Sequence, residues 1–545
     1  MPRSRSILPT NGDGRWPLVA ALAAVFVGAV DLTVIATILP RMVFDLQINT
    51  ADVDRYIWVV NAYLLAYIVS IPLMGRVSDL LGRTVAFEIA LAAFLVGSLW
   101  SAVAGNLHEL IAARAVQGAG GGALLPVTMA LVGDLLPPGK RLTALGAVGA
   151  VDTLGWVLGP LWGAAVVGLA PGDEPWRWVF WINLPLCIVV AIAIAIAGRG
   201  QSGLSAPPRG GLRQLDLPGT LLLGGGLLLV NLGLSAGGEV GLTQGSAMRA
   251  LGGTKNPLAD NLLPLIVGGL ALLALFLFWE RRASSPILSP RLFGSRPFLA
   301  GIVTNFLVGA ALIVAVVDVP VVVALLVDQD RISTVSAYLL APFTLAMAAL
   351  SFAGGVVAKR LGQRGTASIG LLLVVVGYAA LWIGLREDHY LRMIPGLLIA
   401  GTGFGLVVAP IGAQVIDAAA PADRGTAAAF TILFRLLGMT IGISALTAIG
   451  VRRLQTLTDR LQPVVQQAGE TTAEFFVRQS QYIEDYAVPL SLKVVRETFL
   501  IAGALALLAL IPIALVRGRG QVAAPVAEPG QLVFGEGERT ASSRR

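Results

Sequence analysis

Charge is what this sequence has least of for its length. Asp, Glu, Lys and Arg together make up 13% of 545 residues, against 56% for the hydrophobic types. A soluble chain this long needs far more polar side chains to cover its surface. A water-soluble fold is therefore excluded, and a hydrocarbon solvent is implied. Cysteine is nearly missing. Cys187 stands alone in an apolar run, which excludes a disulfide framework and a thiolate metal centre. Histidine occurs only at His108 and His389, far apart in the chain. Zinc hydrolase chemistry and histidine-based triads have little to build on. No Gly-x-x-x-x-Gly-Lys-Ser/Thr loop is present, so ATP hydrolysis is unsupported. No metal, no cofactor and no enzymatic activity are expected. The net charge of +7 does not point to nucleic acid, because the basic residues are scattered over many short loops. Orientation in a membrane accounts for them.

What the sequence does have is apolar runs. A helix crosses the hydrocarbon core in about 20 apolar residues. Fourteen such runs are predicted between residues 17 and 516. Gly and Pro recur inside them, as membrane helices tolerate. The expected fold class is all-α and integral to the membrane. An even number of spans puts both termini on one side. The loops of that side carry most of the Lys and Arg, which places both termini in the cytoplasm. The first run follows Arg3, Arg5 and Arg15, yet it is too long for a signal peptide and carries Asp31.

Two loops repeat a pattern. Between the second and third runs the chain reads GRVSDLLGR, Gly75 to Arg83. Gly75 lets two helices approach closely. Asp79 is placed to cap a helix start or to pair with an arginine. Gly82 supplies a turn and Arg83 a charge. The pattern returns as GGVVAKRLGQR, Gly354 to Arg364, with Lys359 in the place of Asp79. Two related loops in corresponding places indicate two related halves, an arrangement common in transporters.

Charges inside the runs are few. Arg114 lies in the fourth run, with Gln117 and Gly118 on nearly the same helix face. A mid-span charge costs about 2.5–3.5 kcal/mol on insertion scales, so Arg114 is expected to face a cavity or a partner. Asp31, Asp152, Asp318 and Arg435 sit in other runs. Each of the three aspartates is a candidate proton carrier, with a purely structural ion pair as the alternative. The fifth run carries GWVLGPLWG. Gly155, Gly159 and Gly163 recur every four residues on one helix face, and Pro160 bends the helix there. That face is expected at the seam between the two halves.

Taken in order, these signatures resemble those of the major facilitator superfamily, and within it the fourteen-span drug:proton antiporters typified by QacA and EmrB. The matching stretches are DLTVIATILP from Asp31, the Asp79 loop, the Arg114 stretch and the Gly155 motif that marks exporters. WRWVFWINLP, Trp176 to Pro185, and FWERRASSPILSPRLF, Phe278 to Phe293, belong to the same set. Thr84 departs from it, where that class usually has a second basic residue. The resemblance covers roughly residues 15–516. It implies a proton-driven, monomeric transporter of a bacterial inner membrane, with two six-helix bundles and two linker helices. The corresponding boundaries are a cytoplasmic N-terminus over 1–16, a first bundle over 17–198 and a linker region over 199–296. A second bundle follows over 297–516, including a long external helical segment over 451–497, then a disordered cytoplasmic tail over 517–545. The resemblance also implies that Asp31 and Arg435 face each other across the central cavity and pair during the cycle. Arg114 is expected to line the cavity of the N-terminal bundle and to couple protonation to transport, and Asp152 to pair with an arginine from the other half.

A narrower resemblance concerns the C-terminal half. Asp318 in LIVAVVDVPVVVALL, Arg435 in FRLLGMTIGISALTAIG and the long segment after it are similar to the mycobacterial-type triacylglyceride exporters, which work beside an LprG-type lipoprotein. The implied cargo is lipophilic, either lipid or drug. The implied partners are membrane lipids, protons and a periplasmic or surface lipoprotein carrier. The segment from Arg453 to Phe499 is long for an external loop. Leu454, Leu457, Leu461 and Val465 fall at helical spacing, and Phe475, Phe476, Tyr482, Ile483 and Tyr486 continue the apolar theme. Two readings stand. The last two spans extend beyond the membrane and offer an acyl chain a path, or an amphipathic hairpin folds over the exit.

Overall fold

The structure, a computed structural model, describes residues 15–46, 58–136, 138–200, 216–237, 261–283, 290–327, 331–386, 389–458 and 471–515. Among them no strand occurs. Hydrocarbon offers backbone groups no water, so each segment must satisfy its own N–H and C=O groups as a helix. Among the described residues eleven helices are long and apolar enough to cross a membrane, or up to twelve when a bent pair counts as one span.

The first bundle contains α1 (Arg15–Asp45), α2 (Trp58–Leu81), α3 (Arg83–Val103), α4 (Leu107–Leu135), α5 (Pro138–Leu169) and α6 (Arg177–Gly200). Here α1 packs on α5, α2 on α4, and α3 on α4 and α6. Two further helices follow, α7 (Leu217–Gly237) and α8 (Leu262–Glu280), packed on each other. The second bundle contains α9 (Arg296–Leu326), α10 (Ile332–Gly384), α11 (Ile394–Asp417), α12 (Arg424–Thr458), α13 (Thr472–Tyr482), α14 (Val488–Leu508) and α15 (Leu510–Leu515). There α9 packs on α12 and α14, and α10 on α11 and α14. The halves meet chiefly where α2 lies on α12 and α5 lies on α10.

The repeated loop motif gives a repeated backbone. Gly82 separates α2 from α3 at φ 94°, and Gly362 breaks α10 into two arms at φ 76°. Glycine enters that left-handed region at no steric cost. Outward faces of the helices carry many large apolar side chains. On α8, Leu263, Val267, Leu270, Leu277 and Phe278 are each more than half exposed. Such a stripe suits hydrocarbon and not water.

The Gly155 face is not at the seam. A Cβ on Gly159 would stand 2.0 Å from Thr33 Oγ1, and one on Gly155 would stand 2.5 Å from Ala29 Cβ. Both positions therefore hold α5 against α1 inside the first bundle, and Gly163 is buried in the same helix. The seam uses Gly146, where a Cβ would meet the Ser351 carbonyl oxygen at 2.4 Å on α10. Each residue turns an α-helix by about 100°, so the nine steps from Gly146 to Gly155 reach the opposite side. The helix bends by 44° between Trp156 and Leu158, and Trp156 is the residue whose carbonyl the Pro160 ring crowds.

Candidate transport site

Charges at the loop end of the bundles are paired across the halves. Helix α4 ends near Asp134 and α5 begins near Arg141, while α11 ends at Asp417 and α12 begins at Arg424. The pairing is crossed: Arg424 Nη1 donates to Asp134 at 2.9 Å, and Arg141 donates to Asp417. Gln363, which follows Gly362 as Arg83 follows Gly82, donates to Asp417 at 3.1 Å. Sequence reading missed this quartet. Its signal was present, since an aspartate and an arginine seven residues on recur in DLLPPGKR and DAAAPADR.

Asp79 closes the same end. Its carboxylate accepts from the backbone N–H of Gly425 at 2.9 Å, the backbone N–H of Thr426 at 2.9 Å and the Thr426 hydroxyl at 2.8 Å. These are orphan donors at the start of α12, which an acid caps favourably. Arg83 bonds Asp79 at 2.5 Å and Asp134 at 2.8 Å. Asp79 thus both caps a helix and pairs with an arginine. The side chain is only 1% exposed, so this cap is worth more than the exposed pairs around it. Gly75 allows the approach, since a Cβ there would stand 2.6 Å from Ala429 Cβ. Asp79→Asn is expected to weaken charge-assisted bonds worth about 1.5–3 kcal/mol each, and every 1.4 kcal/mol or so shifts an equilibrium tenfold. Spin labels on Lys140 and Lys359 should report this end opening in the variant. An unchanged distance distribution counts against the latch.

Deeper in the bundle, Asp31 is surrounded by its own half. It accepts from Arg114 Nη1 at 2.6 Å, Gln117 Nε2 at 2.9 Å and Asn183 Nδ2 at 3.0 Å. Ser98 Oγ lies 3.2 Å from Gln117 Nε2 and 3.1 Å from Asn183 Nδ2. The Arg114 guanidinium rests 4.1 Å above the Tyr63 ring. Asp31 and Arg114 side chains are each 1% exposed. Arg114, expected to face a cavity or a partner, meets Asp31. One expectation is corrected here: Asp31 does not meet Arg435. The physical reason is that α4 and α6 bring three donors to Asp31 within a single bundle.

Arg435 pairs instead with Asp152, at 3.2 Å, across the seam between α12 and α5. Both line a small cavity together with Leu125, Met129, Val148 and Asn305. The Asn305 amide nitrogen is buried and has no hydrogen-bond partner among the described residues. No sequence signal marked Asn305. Asp318 lies away from this cavity, bonded by Thr498 of α14.

At the far end, α12 continues past Leu446, where its most apolar stretch ends, to Thr458. Helix α13 runs through a π-helical turn, Ile483–Ala487, into α14. Arg453 and Glu497 tie the two runs together with bonds of 2.9 and 3.0 Å. Both described stretches extend as helices. Tyr482 and Tyr486 lie ring to ring at 4.9 Å, and Arg478 lies 5.9 Å from the Phe475 ring. Leu457 and Phe475 are half-buried. Leu461, Val465 and the Phe476 side chain fall outside the described residues, as do the N-terminal 1–14 and the tail over 517–545.

Known proteins share this architecture. The family model of the Major Facilitator Superfamily matches residues 21–443. A triacylglyceride transporter of Mycolicibacterium hassiacum is 36% identical over 471 residues, 84% of this chain and 83% of that one. A probable triacylglyceride transporter of Mycobacterium leprae is 35% identical over 476 residues, 84% of this chain and 88% of that one. Among solved structures, the human organic anion transporter MFSD10 superposes with a TM-score of 0.58 at 16% identity, over 92% of this chain and 99% of that one. The proton:xylose symporter XylE superposes at 0.56 and 14% identity, over 91% and 94%. The repeated loops, the paired bundles and these matches lead to one conclusion: this membrane protein belongs to the major facilitator superfamily of transporters.

Proposed function

We propose that the protein is a proton-coupled exporter that carries lipophilic molecules, triacylglycerides in particular, from the inner membrane outward by alternating access. The observation that carries this reading is the identity of 33–36% to proteins named triacylglyceride transporters, over most of both chains. Fourteen spans are proposed, in the two bundles and linker pair given by the sequence boundaries. The Asp79 end faces the cytoplasm with both termini, as the excess of Lys and Arg on that side supports. With the Asp79 latch closed, the cavity belongs to the exit side. Its walls are apolar except for Asp152, Arg435, Thr431 and the Asn305 amide, which suits a cargo with few polar atoms. One charge moved inward supplies about 2.3 kcal/mol per 100 mV. Breaking and remaking the Asp152–Arg435 pair is the step that such a charge would govern.

The projection of α12, α13 and α14 supports delivery to a carrier, for which a surface lipoprotein is the proposed partner. A triacylglyceride is almost insoluble and must be handed on. Replacing 456–490 with a Gly/Ser linker is expected to leave a folded protein that binds lipid and no longer delivers it. Lipid release from proteoliposomes checks this, with dye efflux as the control. Wild-type lipid release by the shortened protein sinks the role of the projection. Dye efflux without lipid release by the intact protein replaces the lipid reading with broad multidrug:proton antiport.

A further inference from the structure

Asp318 is the one membrane carboxylate above that meets no arginine. Among the described residues no cation lies within ion-pair distance of it, and its only hydrogen-bond partner is the Thr498 hydroxyl. That hydroxyl oxygen also lies 2.7 Å from the Val495 carbonyl oxygen. Thr498 has one hydroxyl hydrogen and faces two acceptor oxygens. If it donates to Val495, the contact with Asp318 needs a hydrogen from the other side, and only a protonated carboxyl can bring one. If it donates to an ionised Asp318, a part-buried charge between two membrane helices has a single hydroxyl for company. Such a charge is expensive in the membrane. The first arrangement gives the hydroxyl hydrogen, the Val495 carbonyl and the carboxyl proton each a partner.

The surroundings agree. Asp318 is the only charged residue of α9 beyond Arg296. On α14, Arg496 turns away to the Trp382 carbonyl at 2.9 Å, and Glu497 turns away to Arg453. On the second arm of α10, Tyr378 donates its hydroxyl to the Ala311 carbonyl at 2.5 Å. Asp318 lies in the last third of α9, and Thr498 directly follows Glu497, which ties α14 to the projecting part of α12.

We propose that Asp318 is a proton-binding site in the second bundle, separate from the Asp152–Arg435 pair, whose protonated carboxyl donates to Thr498 and fastens α14 to α9. Its place in the cycle rests on the exporter reading; the site itself does not. Loss of the proton leaves two acceptors competing for one hydroxyl hydrogen, and the α9–α14 contact loosens beside the base of the projection.

Difference infrared spectroscopy of the full-length protein in lipid, stepped from alkaline to acid pH without cargo, tests this. A protonated carboxyl shows its own C=O stretch. The wild type should show a titrating band that Asp318→Asn removes and Thr498→Val shifts. Asp318→Asn should keep the wild-type Tm at acid pH, because its amide is neutral and also donates. A difference spectrum of Asp318→Asn identical to that of the wild type overturns the proposal. So does an Asp318→Asn protein that unfolds while Asp318→Glu does not, since the charged form would then be the structural one. The band is read without any substrate, so a failure of the lipid reading leaves it in place.

Discussion

Arg114→Ala is expected to destabilise the first bundle by about 3–5 kcal/mol, the cost of stranding one member of a buried ion pair. Asp31 and Arg114 are each 1% exposed, so water cannot replace the missing guanidinium. Gln117 and Asn183 still donate to Asp31, but they bring no charge. Thermal unfolding in detergent should show the loss, and the double change Asp31→Asn with Arg114→Gln should recover much of it. A double-mutant cycle apportions the effect. Strong coupling between Asp31 and Arg114, and weak coupling between Asp31 and Arg435, is the expected pattern. The reverse pattern would remove the network as described.

Arg435→Ala should behave differently. Its pair with Asp152 spans the two halves at 3.2 Å, and the two side chains keep 16% and 10% exposure. Each bundle keeps its own packing when this pair is lost, so folding should survive. Gradient-driven transport should fall at least tenfold, the equivalent of about 1.4 kcal/mol. Exchange of cargo without a gradient should persist, because the cavity walls are intact. Asp152→Asn should give the same split between driven transport and exchange. Reconstituted vesicles measure both rates. Equal loss of both would make the pair a structural element and not a coupling one.

These two experiments separate charges that look alike in the sequence. Asp31 and Asp152 each interrupt an apolar run at similar cost, and so do Arg114 and Arg435. Nothing in the spacing says which acid takes which base. The Asp79 loop was more legible. Its glycines, its acid and its arginine each predict a local act, and each act is local: a close approach at Gly75, a left-handed turn at Gly82, a cap by Asp79. The partner of that cap, the start of α12, is more than 340 residues away and left no mark on the loop.

The sequence by itself determined that this is an all-helical membrane protein with two related halves. Hydrocarbon leaves a spanning chain almost no other choice than helices, so scarce charge and long apolar runs suffice. The halves are legible because the loop motif repeats as a string. Tertiary structure alone decided the pairings. Arg141 takes Asp417 and Arg424 takes Asp134, each from the opposite half, although both acids have an arginine seven residues away in their own half. It also turned Gly155 toward α1 and Gly146 toward α10. The physical reason is the same in each case. A buried charge or a bare glycine states a need for a partner, and the need is written in one residue. The helix face that answers it depends on how two bundles rotate against each other, a property of hundreds of packing contacts at once.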